Sequence, residues 1–244
     1  MDEQTFMIQV SLVAPCFNEQ DNVEVLADRF LTCMIGAGIQ AEIVFVDDGS
    51  LDSTREVIVK LANKNEMIRY EFHQQNQGIA TAWSTGIMSS RGKYVCLIDS
   101  DLQNPPEEVL KLYQTIVREQ CDFVQGIRVP FHRQPLNRRV ISRGFNLILN
   151  LVFQMNAKDN KSGFVLASKN CLQEVTKHDS SYHHFQSFIS ISAKSHGFTI
   201  CEVETQFMNR LNGESYLSGR TLNTMLVSIV DIYRARREFL QKRV

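Results

Sequence analysis

Residues 94–108 read Y-V-C-L-I-D-S-D-L-Q-N-P-P-E-E. A short apolar strand, Tyr94 to Ile98, runs directly into Asp99, Asp101 and Gln103, then into two prolines and two glutamates. Side chains two apart in an extended segment point to the same side, so these three are expected to face one target. Two carboxylates held that close repel each other unless something positive sits between them. A hard divalent cation with oxygen ligands, itself gripping a phosphate, meets that need. The same letters admit a plain helix start instead, with Asn104 as N-cap, Pro105 at the first helical position and Glu107 closing a capping-box-like turn.

The flanking sequence bears on the choice. Residues 8–14, I-Q-V-S-L-V-A, read as a strand, followed by the turn P-C-F-N-E and an amphipathic helix near 20–36 with Val23, Leu26, Phe30 and Ile35 on its inner side. A strand from Glu42 to Val46 ends in D-D-G-S, a helix runs through Ile58 to Ala62, and a short strand spans Ile68 to Phe72. N-Q-G-I-A-T-A-W is a glycine-marked turn entering a helix. Strands alternating with helices imply right-handed βαβ units, hence an α/β fold with a mostly parallel sheet. Ligands of such sheets lie beyond the carboxyl ends of the strands, where both aspartate pairs fall. The second half is less regular: a helix near 109–119, the strand C-D-F-V-Q-G, a basic loop over 128–139, a helix from Val140 to Phe153, the loop N-A-K-D-N-K-S-G-F, the strand V-L-A, a helix over 183–196 and a strand from Thr199 to Val203. One domain over 1–220 with a helical appendage over 221–244 is expected.

Composition narrows the function. The 244 residues, 43% hydrophobic and 22% charged, suit a globular chain. A net charge of −1 argues against a nucleic-acid binder. Between Asp122 and Asp159 there is no acidic residue, while Arg128, Arg133, Arg138, Arg139 and Arg143 crowd the first half of that interval, which reads as a local anion site. The cysteines are scattered without ligand spacing, which excludes a disulfide framework and suggests a reducing, cytosolic compartment. The opening M-D-E-Q-T-F lacks the basic and apolar regions of a leader, and no apolar run approaches a membrane span. G-x-G-x-x-G, a P-loop and G-x-S-x-G are absent. The histidines read as solvated or turn residues. In V-D-D-G-S, Asp47 and Asp48 can accept hydrogen bonds from a base or a ribose, while Ser50 or Asp52 caps the next helix.

The ordered set P-C-F-N-E, V-D-D-G-S, N-x-G-x-x-x-A, D-S-D-L-Q-x-P-P-E, G-x-R, R-x-x-x-S, S-G-F and R-x-x-G-E-S, spread over residues 8–220, resembles the family 2 glycosyltransferases of GT-A fold. It is most similar to their dolichyl-phosphate mannose synthase and polyprenyl-phosphate glycosyltransferase branch. The resemblance implies a Rossmann-like three-layer αβα sandwich. It also implies that Asp99, Asp101 and Gln103 hold Mg²⁺ or Mn²⁺ and the donor diphosphate, and that Pro15, Asn18, Glu19, Asp48 and Gly78 line the donor pocket. Arg128 and Arg210 then match arginines that hold donor and acceptor phosphates. Arg138 and Ser142, one helical turn apart, can present a guanidinium fork and a hydroxyl to one anion.

A sugar hydroxyl needs a general base to attack an anomeric carbon, whereas a phosphate monoester is already an anion at neutral pH. Q-S-F-I, 186–189, carries no carboxylate where relatives commonly have one, which fits a phosphate acceptor. Ser84, where Asn is common, and Tyr216, where Lys usually follows G-E-S, are further departures. The reading is a metal-dependent, inverting transferase moving a hexose from a nucleotide sugar, GDP-mannose or a UDP-hexose, to a polyprenyl phosphate. Its place is peripheral on the cytosolic face of a membrane, with room for a membrane partner subunit. A sugar-hydroxyl acceptor, or a catalytically silent nucleotide-sugar-binding subunit, are the alternatives. Leu222, Met225, Leu226, Ile229, Tyr233 and Leu240 form an apolar stripe near a basic end, expected either to dock on a membrane or to cover the core or a partner.

Overall fold

A computed structural model describes residues 7–130, 136–178, 181–182, 185–208 and 221–241; within these, the side chains at 130, 136–139, 141, 221–228, 240 and 241 are not described. Strands β1 (Val10–Cys16) and β2 (Ala41–Asp47) are buried along their whole length, as strands covered on both faces must be. They pair in parallel from Val10↔Ala41 to Cys16↔Asp47 across helix α1 (Val23–Gly36). Helix α2 (Thr54–Ala62), strand β3 (Ile68–Phe72), helix α3 (Ile79–Ser89) and strand β4 (Tyr94–Leu97) complete a parallel half-sheet. The second half adds α4 (Glu108–Glu119), β5 (Phe123–Pro130), α5 (Leu136–Phe153), β6 (Val165–Ser168), α6 (Lys169–Val175), α7 (Phe185–Ser195), β7 (Ile200–Phe207) and α8 (Thr221–Gln241).

The sheet has seven strands in the order β3-β2-β1-β4-β6-β5-β7. Only β6 opposes its neighbours: it is antiparallel to both β4 and β5, while β5 and β7 are parallel. The carboxyl ends of the other six strands therefore share one edge, and the loop that enters β6 arrives at that same edge. Two apolar layers sandwich the sheet, one built with α1 and α4 around Phe30, Met34 and Leu112, the other with α3, α6 and α7 around Trp83, Leu172 and Ile189. A third cluster joins Leu149 and Phe153 of α5, Phe188 of α7, and Ala235 and Phe239 of α8.

Several expectations shift. β1 continues through Pro15 and Cys16, so the turn begins at Phe17. Ile35 is 72% exposed, because the inner stripe of α1 runs from Val23 through Leu26, Phe30 and Met34, and the next residue rotates past it. Helix α6 was not expected; seven residues are too few to show a period, and its start rests on the Ser168 hydroxyl accepting from the Cys171 N–H at 3.2 Å. The apolar stripe of α8 does not cover the core where it is described: Ile229 and Tyr233 are both 63% exposed, and the buried face carries Ala235 and Phe239 instead. Leu222, Met225, Leu226 and Leu240 lie outside the described side chains.

The amino-terminal edge of the sheet is closed by charge. Glu42, with no exposed surface, accepts from the Ser11 hydroxyl at 2.7 Å, the Arg91 N–H at 2.6 Å and the Arg91 guanidinium at 2.7 Å. Burial pushes its pKa up, but these hydrogen bonds and the Arg91 charge outweigh burial and hold it below the ordinary carboxylate value. A depressed carboxylate contributes stability above its unfolded pKa, and that contribution is lost as pH falls from about 4.5 through the folded value. Urea denaturation at pH 7 and pH 4 should show a loss for the wild type, and Glu42→Gln, already destabilised at pH 7, should lose less on acidification.

Candidate active site

At the carboxyl edge the loops after β1 and β2 are sewn together. The Asn18 N–H donates to the Ser50 hydroxyl at 2.9 Å and the Asn18 side-chain oxygen accepts from the Leu51 N–H at 2.8 Å. The Glu19 N–H donates to the Thr54 hydroxyl at 2.8 Å, and Asp52 accepts from the Thr54 N–H at 3.0 Å in the turn before α2; the N-cap residue is Ser53, not Ser50 or Asp52, and it makes no side-chain cap bond. Gly49, directly after Asp47 and Asp48, is required twice over: its φ is +77°, and a Cβ there would lie 2.7 Å from the backbone of Gln75. Asp48 is nearly buried; it accepts from the Gln77 N–H at 2.9 Å and the Gly78 N–H at 2.8 Å and faces His73 Nδ1 at 2.7 Å. Asp47 is fully buried and accepts from the Ser50 N–H and from Arg55 Nε, both at 3.0 Å. Both carboxylates thus shape the rim from within. His73 is not a solvated residue: it is buried between Asp48 and the Thr85 hydroxyl, a role that only the fold reveals.

The D-S-D-L-Q segment is a turn rather than an extended strand end, since β4 stops at Leu97 and Leu102 has φ +60°. Strand alternation is therefore not what groups its side chains. The Ser100 hydroxyl donates to the Pro15 carbonyl at 2.7 Å, which fixes the turn against the end of β1. Asp101, 8% exposed, accepts from the Gln103 N–H at 3.0 Å. The helix-start reading of the stretch does not hold. Glu107 makes no cap bond and instead takes the Arg29 guanidinium through two bonds of 2.7 Å, and helix α4 begins only at Glu108. Asn104 is buried, and its side-chain oxygen has no hydrogen-bond partner among the described residues.

Among the described residues no three His, Cys, Asp or Glu side chains form a protein-only metal cage. Two carboxylates with the amide of Gln103, whose nitrogen is spent on the Met208 carbonyl at 3.4 Å, are an oxygen donor set of the kind a hard cation takes when phosphates and water supply the remaining ligands. The fit is to a cation shared with a ligand.

A cationic cluster lies on the other side of Met208. The Met208 N–H donates to the Gln103 carbonyl at 2.7 Å, and the preceding Phe207 ring lies 5.4 Å from the Arg128 guanidinium. Arg128 grips Asp159 through two bonds, 2.7 and 2.9 Å. Lys161, two residues on, donates to the Ser142 hydroxyl of α5. Burial pushes the Asp159 carboxyl up, but Arg128 and then Lys161 outweigh it and leave it below its ordinary value. Burial lowers Lys161, partly offset by Asp159. The structure thus brings Arg128 and Ser142 to one place and adds Asp159 and Lys161, which sequence reasoning missed. The available signal was that the acid-free, arginine-crowded interval ends on Asp159. The side chain of Arg138, on α5 one turn before Ser142, and the whole of Arg210 lie outside the described residues, as does Tyr216.

A mostly parallel sheet between helical layers, with an acidic turn and the Arg128–Asp159–Lys161 cluster beyond its carboxyl edge, is that of a glycosyltransferase of GT-A architecture. The chain belongs to glycosyl transferase family 2, whose model matches residues 11–176. It is 30% identical over 237 residues to a dolichol-phosphate mannosyltransferase of Mycosarcoma maydis, covering 93% of this chain and 79% of that one. It is 29% identical over 237 residues to a dolichol-phosphate mannosyltransferase of Saccharomyces cerevisiae, covering 93% and 87%. Among solved structures it is similar in fold to glucosyl-3-phosphoglycerate synthase from Mycobacterium tuberculosis in complex with Mn²⁺, UDP and glucosyl-3-phosphoglycerate, with TM-score 0.66, 17% identity and coverage of 93% of this chain and 79% of that one.

Arg128→Ala should cost stability as well as activity, by about 3 kcal/mol, because it strands the largely buried Asp159. Arg128→Ala/Asp159→Ala should recover much of that stability and none of the activity. Urea denaturation beside sugar-transfer rates measures both.

Proposed function

We propose that this glycosyltransferase moves a hexose, with inversion at the anomeric carbon, from a nucleoside diphosphate sugar to a polyprenyl phosphate. The observation that carries the reading is the cationic cluster: Arg128, which bonds Asp159 two residues before Lys161, lies over Phe207, and the next residue, Met208, bonds Gln103 of the acidic turn, while Lys161 donates to the Ser142 hydroxyl. Two cations and one carboxylate leave one positive charge in excess, a setting that favours an anionic acceptor. The relatives named dolichol-phosphate mannosyltransferase support a polyprenyl phosphate in that role and mannose as the sugar.

Chemically, the acceptor needs placement more than activation. A phosphate monoester has its second pKa near 6 and is a nucleophile at neutral pH. One of its oxygens bonds to the anomeric carbon as the bond from that carbon to the diphosphate breaks, and the nucleoside diphosphate leaves with the bonding electrons. Arg128, Lys161 and Ser142 hold the acceptor phosphate, with Arg138 and Arg210 joining them by resemblance. Asp99, Asp101 and Gln103 would hold Mg²⁺ or Mn²⁺ with the donor, and the bound ion would offset charge on the leaving diphosphate. Pro15, Asn18, Glu19, Asp48 and Gly78 form the frame of the nucleoside pocket. The first turn of α7, which reaches Asp99, carries Gln186 rather than a carboxylate, which disfavours an acceptor needing a separate base.

A lipid acceptor requires approach to a bilayer. No helix among the described residues is long and apolar enough to cross one. Instead Val140, Leu147 and Leu151 of α5 and Ile229 and Tyr233 of α8 are each more than half exposed on helices that pack together. Arg143, Arg236 and Arg237 stand exposed on the same two helices. Such faces suit the interface of an anionic, cytosolic leaflet. A membrane-embedded partner subunit is the other occupant the test below separates.

Incubation with radiolabelled GDP-mannose and UDP-hexoses, Mn²⁺ and a short polyprenyl phosphate should move label into a lipid-soluble product, and Asp101→Asn should abolish this while leaving the unfolding temperature unchanged. Label that stays water-soluble with every donor would overturn the reading. Lys161→Ala should raise the KM for polyprenyl phosphate roughly ten- to a hundredfold, the worth of one charge-assisted bond, while calorimetric donor affinity stays within about twofold. Leu147→Glu/Leu151→Glu should lose co-sedimentation with anionic liposomes and retain activity toward a soluble short-chain acceptor. Liposome binding equal to wild type would move the contact to a partner protein.

A further inference from the structure

Gln186 is the second residue of α7, a helix whose other contacts belong to the apolar layers. Its side-chain amide reaches the carboxyl edge and donates Nε2 to Asp99 Oδ1 at 3.2 Å. A tight fit holds it there. A Cβ built on Gly163 would lie 3.0 Å from both Cδ and Nε2 of Gln186 and 2.8 Å from Cη2 of the fully buried Trp83. The backbone of Gly163 is not in the left-handed region, so close approach is the reason that glycine stands at this position. Trp83 borders the same space beside Gly163 and packs its ring 6.3 Å from that of Phe185, the neighbour of Gln186. The amide thus lies against the bare backbone of Gly163 and points at one carboxylate.

Among uncharged side chains of this length, only an amide can donate to Asp99 without bringing charge. A carboxylate at 186 would set two negative charges against each other, and a cation would compete with a metal for Asp99. An N–H on one carboxylate oxygen biases the orientation of the Asp99 carboxylate. We propose that Gln186 is a positioning residue for the donor site: its amide sets the orientation in which Asp99 meets the cation-bound diphosphate, and Gly163 leaves it the room. This rests on the reading of Asp99 as a donor-site ligand.

Gln186→Met keeps the length and removes the donor; Gln186→Ala removes both. Calorimetric binding of GDP and UDP should be measured for each with and without Mn²⁺, together with the unfolding temperature. Both variants are expected to lose about tenfold in nucleotide affinity with Mn²⁺ present, while Mn²⁺-free affinity, the KM for acceptor and the unfolding temperature stay at wild-type values. Wild-type affinity in both variants would overturn the proposal, as would a loss that is equal with and without Mn²⁺ or that tracks a fall in unfolding temperature. A wild-type protein whose nucleotide affinity ignores Mn²⁺ would instead remove the donor-site reading on which it stands.

Discussion

The loop that enters β6 ties the site together. Because β6 alone runs against its neighbours, the loop before it is delivered to the edge where the other strands end. Five consecutive residues, 159–163, then reach three elements, β5, α5 and α7. Asp159 takes the guanidinium of Arg128 on β5, and Lys161 meets Ser142 on α5. Between them Asn160, fully buried, donates to the side chains of both Asn146 and Asn150 on α5, at 3.0 and 2.7 Å. The Ser162 carbonyl accepts from Gln125 of β5 at 3.0 Å, and Gly163 gives way to Gln186 of α7. The asparagine network fixes the loop to α5, and the loop in turn fixes the spacing between β5, α5 and α7. The buried amide N–H groups of Asn160 and Gln125 define one arrangement, because a shift would break several of these bonds together, while the side-chain oxygens of both residues have no partner among the described residues.

Charge is divided between the two edges of the sheet. At the amino edge Glu42 is answered by Ser11 and Arg91, an arrangement that closes the fold and touches no part of the site. At the carboxyl edge the acidic turn touches β7 at Met208, and Arg128 of the cationic cluster lies over the adjacent Phe207 ring. Arg128 is kept in place by Asp159, so its orientation is set before any ligand arrives. Preorganised charge of this kind costs no rearrangement at the moment of reaction, which is where electrostatic catalysis gains most.

Much of this was legible in the sequence where local pattern and local structure coincide. β1, β2 and β4 are apolar runs followed by turns that carry acidic residues, and the alternation of strands with helices gives the half-sheet and its carboxyl edge. D-S-D-L-Q reads in the sequence as a cluster of candidate ligands, but the physical reason attached to it, strand alternation, is replaced by a turn with Leu102 at positive φ. What was hidden depends on contacts between distant segments. The antiparallel setting of β6, four residues long, has no periodic signature. The partnership of Arg128 with Asp159 spans 31 positions and that of Gln186 with Asp99 spans 87. His73, a single imidazole in a polar stretch, gives no sign of being buried against Asp48.

The central claim is that the acidic turn and the Arg128–Asp159–Lys161–Ser142 cluster are two halves of one site, the first for the donor and the second for an acceptor phosphate. A crystal structure of the chain with Mn²⁺, a nucleoside diphosphate and a short-chain prenyl phosphate measures this directly. The account predicts the ion against Asp101 and Gln103, shared with the diphosphate, and the prenyl phosphate within hydrogen-bond reach of Arg128 and Lys161. A prenyl phosphate bound away from Arg128 and Lys161, with Asp159 and Arg128 still closed on each other and the ion absent from the turn, would contradict it.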